Sequence, residues 1–352
     1  MKFKFTALIY LFVLLFCTVG ASAQNKCGDN VYWTKNGTTL TISGKGDMFD
    51  YEKNSPAPFK SIANEITELK FSPDITKIGS WSFEGFTKLS KITFGEKLTQ
   101  IGERAFYNCS SVERLILPKQ LAKIGDGAFN SCTSVKRIDM SPAVVQIGNS
   151  AFMNLPQLVS VKIPKTVNTI GSWAFWGNTD LRQLYFEGTP PENVGENIIP
   201  KLDESFQIFC HYSVADVWVN SDLFPLDNMY TYDPDKIIGV YINNKEILFD
   251  QRPIIVKDRT LVPIRAIFEK MGAKVSWDAV SNTVIATKGD TQLRVIIDGN
   301  IMYKNGSPIT LDCPAQIVND RTLVPIRAIS EAFEAKVLWD NSARCVEIFI
   351  NE

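Results

Sequence analysis

Five isoleucine-glycine pairs stand 23 residues apart, at Ile78-Gly79, Ile101-Gly102, Ile124-Gly125, Ile147-Gly148 and Ile170-Gly171. Five residues after each isoleucine comes a phenylalanine (Phe83, Phe106, Phe129, Phe152, Phe175), preceded by alanine in four copies and by Ser82 in the first. A strict period of this length means that no unit buries its apolar side alone. Each must stack on its neighbours, giving a solenoid with one continuous core. Later in every unit two apolar positions lie two apart, as in Leu115 and Leu117, the mark of a short strand with alternate residues facing inward. Each coil therefore adds a strand to a parallel sheet, and ITELKF at 66–71 supplies an earlier rung, for about six in all.

The residues between the inward ones form an outward ladder. Its candidate binding positions are Lys91, Arg114, Arg137, Lys162 and Tyr185, and the ladder is more basic than the chain as a whole. One reading is a solvated face of mixed charge; the sharper one is a surface for an acidic partner, because extended solenoid faces are where such folds bind. A second candidate surface is aromatic. Trp81 and Trp173 share a repeat phase and Trp176 lies close by, so these rings either stack on a glycan or pack against a cap. Cys109 and Cys132 occupy a phase held elsewhere by Phe86 and Leu155 and are read as buried thiols, although rungs ~4.8 Å apart also allow a disulfide.

IGERAFYNCSSVERLILPKQL and its relatives resemble the BspA-type bacterial surface leucine-rich repeats, and CGDNVYWTKNGTTLTISGKGDMFDY resembles the segment that often precedes them. ESFQIFCHYSVADVWVNSDLF resembles the irregular unit that closes such arrays, and a cap is physically required to hide the last rung. The resemblance implies a protein outside the cell that binds proteins, host surfaces or glycans.

The ends and the composition agree with export. Lys2 and Lys4 precede an apolar run and then Ala21-Ser22-Ala23, the pattern of a cleaved secretory signal, and Phe16 before Cys17 argues against lipid attachment. No later stretch reaches the roughly 20 apolar residues of a membrane helix. Without Lys2 and Lys4 there remain 35 basic residues against 38 acidic ones, net −3, so nucleic acid is not an expected partner. No LPxTG-type sorting signal or apolar C-terminal tail is read, so covalent wall anchoring is not expected.

The second half carries its own duplication. DRTLVPIRAI occurs at 258–267 and again at 320–329, and a shift of 62 also aligns Asp250 with Asp312, Glu269 with Glu331 and Trp277-Asp278 with Trp339-Asp340. In each copy the proline suits the first turn of a helix with an apolar stripe, Ile264, Ile267, Phe268 and Met271 in the first. Asp258-Arg259-Thr260 reads as a turn leading into that helix. Arg265 with Glu269, and Arg327 with Glu331, sit four apart and are expected to pair on its surface. RTLVPIRAIFEKMGAKVSWD and RTLVPIRAISEAFEAKVLWD resemble the N-terminal-type domain named after bacterial copper amine oxidases; Glu334 departs where Gly272 ends the first helix. The resemblance implies no activity, since copper and quinone belong to a separate catalytic domain of those oxidases.

With one histidine, His211, a multi-histidine metal site is impossible, and no phosphate loop, nucleophile elbow or Cys-x-x-Cys pair occurs. No catalytic residue, metal or cofactor is expected. The expectation is a multidomain, β-rich chain: signal 1–23, capping segment 24–65, leucine-rich-repeat solenoid with a parallel β-sheet 66–187, cap and linker 188–236, and a duplicated α+β domain 237–352. Its function is read as secreted or cell-surface binding and adhesion to a protein or glycan, with an accessory module or hydrolase for wall or host polysaccharide as the alternative. The residues leave the oligomeric state open.

Overall fold

Each 23-residue unit forms one coil with two short strands, so two parallel sheets run along the solenoid. In one, Lys91–Thr93, Arg114–Ile116, Arg137–Asp139, Ser160–Ile163 and Gln183–Phe186 lie on successive coils. Where neighbours pair, the register advances by one period: Arg137 lies opposite Arg114, and Ser160 opposite Gln183. The other sheet pairs the repeated isoleucines in a row, Ile78 with Ile101, then Ile124, Ile147 and Ile170. The computed structural model describes residues 25–199, 205–221, 223–233, 237–341 and 344–350. The leader expected at 1–23, with Cys17, lies outside the described residues.

The period has a packing cause. Phe59, Phe83, Phe106, Phe129, Phe152 and Phe175 stack as one column, with centroids 5.2, 5.3, 5.3, 5.6 and 5.5 Å apart. All six rings are fully buried. The glycine after each isoleucine lets the coils approach: a Cβ at Gly125 would stand 2.6 Å from the carbonyl carbon of Gly102, and one at Gly171 only 2.4 Å from the amide of Asn149. Trp81, Arg104, Ser150 and Trp173, in one repeat phase, all have positive φ, which is what turns the chain into its next strand. Cys109 and Cys132 are free, buried thiols donating to the carbonyls of Phe83 and Phe106, each 3.2 Å away. Asn178, in the same phase, accepts from Leu155 N–H and donates to Phe152 O.

Both ends of the column are covered. Antiparallel strands Val31–Asn36 and Thr39–Gly44 precede it, and Leu40 then pairs in parallel with Leu69 of Glu68–Phe71. At the other end Gln207–His211 and Met229–Tyr232 add two parallel strands, and the helix Ala215–Val219 seats Trp218 on Phe186, 4.6 Å between rings. The Trp218 indole N–H donates to Gly188 O, so the buried ring leaves no unmet donor.

In the second half the repeated decapeptide is half strand and half helix. Arg259–Pro263 and Arg321–Pro325 pair antiparallel, with Val262 opposite Val324, so the two copies hydrogen-bond to each other through the same residues. Pro263 ends its strand and precedes the helix Ile264–Lys270, and Pro325 does the same before Ile326–Ala332. The expected turn is displaced: Lys257 and Asp258 carry positive φ at the tip of a hairpin, and Arg259 already belongs to the strand. The apolar stripe Ile264, Ile267, Phe268 and Met271 is buried in one core with Ile326, Ile329 and Phe333. After the helices, Lys274–Asp278 and Lys336–Asp340 lead two further sheets, each completed by strands from the other copy. Glu334 takes the left-handed conformation of Gly272, φ +65° against +82°, so the chain turns alike without the glycine.

Candidate functional site

The outward ladder of the solenoid is not free along its length; its centre is covered by the second half of the same chain. Arg137 points away from the solenoid core yet is only 4% exposed. Its guanidinium lies 3.9 Å over the ring of Tyr241, donates through Nη1 to Glu347 Oε1 at 2.8 Å, and reaches the Cys345 sulfur at 3.5 Å. Nη1 of Arg114 meets the same oxygen of Glu347, also at 2.8 Å. Asp139 closes the group, taking Nε of Arg114 at 2.6 Å on one oxygen and Nε of Arg137 at 2.7 Å on the other. Two cations thus face two carboxylates, one from each half, in a shielded place where charges interact strongly only when paired. Burial works against the charge on Arg137, and the surrounding Tyr241, Asp139 and Cys345 outweigh it and raise its basicity.

The contact continues toward the cap. Glu246 accepts a hydrogen bond from Ser160, and burial raises its carboxyl above the ordinary range although Ser160, Lys162 and Arg137 pull the other way. Lys245 pairs with Asp180 at 2.8 Å. Tyr185 is buried: its ring stacks on Phe209 at 4.6 Å, with Tyr232 across it, and Arg252 lies 5.2 Å from the Phe209 ring. Lys162 is half-buried beside Glu246. Of the five ladder candidates, Lys91 alone is fully on the open side, and even it is paired with Glu68 at 2.7 Å. That carboxyl is held down to about 2 by the hydrogen bonds of Lys91 and Lys70. Next to Lys91 the face opens into a recess of 660 Å³ lined by Thr93, Glu113, Arg114 and an exposed Ile116, with Asn244 of the second half on its rim.

The aromatic candidates part company. Arg104 lies over Trp81, 4.6 Å from ring centroid, so that indole is capped. Trp173 and Trp176 remain exposed. The paired charges drawn from helical spacing do not form: among the described residues Arg265 and Arg327 are exposed and reach neither Glu269 nor Glu331 within 4.0 Å. Arginines of the decapeptide do pair, but across copies, Arg321 with Asp250 at 2.6 Å and Arg259 with Asp312 at 2.7 Å. Glu347, Tyr241 and Glu246 escaped the sequence reading. A signal for one was present: the position matching Glu347 in the other copy is Ile285, and an acid replacing an isoleucine in a paired strand asks for a cation.

Comparison with known proteins gives two families. Residues 56–182 match the BspA type leucine rich repeat region, in six copies, and residues 241–348 match the copper amine oxidase N-terminal domain. A leucine rich repeat protein of T. pallidum is 23% identical over 49% of this chain and 87% of its own, TM-score 0.37. One from Bacteroides ovatus is 17% identical over 52% and 67%, TM-score 0.33, and a leucine rich cell surface protein from Faecalibacterium prausnitzii is 14% identical over 51% and 76%, TM-score 0.25. No curated protein matches. The second family's name points to copper, and the donors can be tested for it. Among the described residues the one cluster of three possible ligands is Asp340, Cys345 and Glu347. Its oxygen and sulfur already receive the guanidinium groups of Arg114 and Arg137, and His211, far along the chain in the cap, engages Ser213. A site filled by two fixed cations does not fit a copper ion.

Proposed function

For a chain that joins a BspA type leucine-rich repeat region to a copper amine oxidase N-terminal domain, we propose a secreted or cell-surface binding protein whose solenoid takes a protein partner at the open end of its sheet face. The observation that carries this is the recess beside the docked second half. Ile116, 58% exposed, lines it together with Lys91, Glu113 and Arg114, so an apolar anchor and charged side chains share one recess. The basic pair Arg114 and Arg137, which in the sequence invites an acidic partner, is satisfied inside the chain by Glu347, so charge at the middle of the ladder serves docking of the two halves. Glu113 is the one carboxylate among the described lining residues, and glycoside hydrolysis uses two. Placement outside the cell rests on the leader reading; among the described residues no helix is long and apolar enough to cross a membrane.

The test is binding of the mature protein to purified extracellular-matrix proteins by interferometry. Capture that is lost in Ile116→Glu and retained in the remote exposed variant Lys53→Glu supports the reading. Capture unchanged by Ile116→Glu, or none by any protein, overturns it.

A further inference from the structure

The duplication of the second half builds two clefts, each assembled from both copies. The first sets Trp277, Arg265 and Pro263 of one copy against Ile317, Asp320 and Arg321 of the other. The second sets Trp339, Arg327 and Pro325 against Ile255, Asp258 and Arg259. Every one of these positions is 62 residues from its counterpart. Trp277 is 44% exposed and Trp339 38%, and the isoleucines facing them are exposed too, so each cleft presents a flat apolar slot to solvent. Arg265 and Arg327 point into it without a carboxylate partner among the described residues, while Arg321 and Arg259 are held by Asp250 and Asp312. The volumes are 600 and 390 Å³, the second being smaller where Leu338 replaces Ser276, and both lie in the range of small-ligand sites.

Neither cleft presents an excess of positive charge. The first holds two arginines with Asp250, Glu269 and Asp320; the second holds two arginines with Asp258, and Asp312 pairs with its Arg259. Carboxylates offset the arginines in both, which favours an uncharged ligand. What they share is an indole face beside planar side chains that donate and accept hydrogen bonds. The flanking edge strands, Ile254–Val256 and Gln316–Val318, are only three residues long and offer an added peptide strand few backbone bonds. We propose that each cleft binds one pyranose unit of a neutral glycan, its apolar ring face on Trp277 or Trp339 and its hydroxyls on Arg265 or Arg327 and the neighbouring Arg-Asp pair. This site is separate from the solenoid face, and the two proposals stand or fall independently.

Titration calorimetry of the mature full chain with cellohexaose, and separately with the hexamer of N-acetylglucosamine, tests it. Two sites per chain are expected for at least one probe. Trp277→Ala and Trp339→Ala should each leave one, the lost site weakening at least about tenfold, and the double variant none; the Trp→Phe changes should restore part of the affinity. Absence of binding to both probes, or binding that survives the double variant, overturns the proposal. So does binding of an extended apolar-alternating peptide, in place of the sugars, that is lost in the same variants.

Discussion

Replacing Glu347 by glutamine asks whether the second half is locked onto the solenoid by charge. One oxygen of Glu347 receives both Arg114 and Arg137, each at 2.8 Å, with Glu347 12% and Arg137 4% exposed. Glutamine keeps the shape and one acceptor but removes the charge, leaving two guanidiniums to share Asp139. Removing one member of a buried pair costs about 3–5 kcal/mol. The retained hydrogen bond and the charge of Asp139 offset part of this, so a loss of about 2–3 kcal/mol is expected, roughly 30- to 150-fold in the docking equilibrium. In scanning calorimetry the unfolding of the two halves should then separate into two transitions, the later-numbered half melting earlier. A cycle with Arg137→Met should return a coupling of at least about 1 kcal/mol. Raising salt from about 0.05 to 0.5 M should change the coupling little, because the pair is shielded from mobile ions. Superimposable melting curves for the native protein and Glu347→Gln, or a coupling near zero, would refute the reasoning.

Phe129→Ala removes a ring stacked at 5.3 Å on one side and 5.6 Å on the other, and should lower the stability of the solenoid by about 3–5 kcal/mol in urea titration. Glu246 has its carboxyl raised by burial, so its contribution to docking is complete below the ordinary value of 4.5 and is lost as pH rises through the raised value. The melting temperature of Glu246→Gln, which carries no charge at any pH, should therefore gain on that of the native protein between about pH 4 and 8; a constant gap would contradict this. Glu334→Gly should stabilise the second half by about 1 kcal/mol, since φ +65° strains any residue with a Cβ, and equilibrium unfolding reads it directly.

The solenoid was legible because one residue type recurs in one phase: the phenylalanines, isoleucines and glycines each have a single job in every coil, so spacing alone reports it. The duplicated second half was legible as two copies for the same reason. What spacing could not show is which surfaces of distant segments meet. Arg137 was visible as an outward residue and Glu347 as an acid in a strand, but 210 positions separate them and no local rule joins them. The decapeptide misled in a different way. PIRAI has helical periodicity and RTLV is β-prone, and the reading placed a turn at Asp258-Arg259-Thr260 and Pro263 inside the helix, where a strand runs from Arg259 to Pro263, because a proline suits either side of that boundary.

The antiparallel pairing of Val262 with Val324 means that one 62-residue unit carries an edge complementary to itself. Such a unit is in effect the protomer of a two-fold dimer, and the linking strand Thr291–Ile296 makes the pair a single molecule. Tethering replaces protein concentration with a local concentration in the millimolar range, so assembly of the pair no longer depends on how much protein is present. For a chain expected to act in dilute surroundings, that independence from abundance is what the fusion secures.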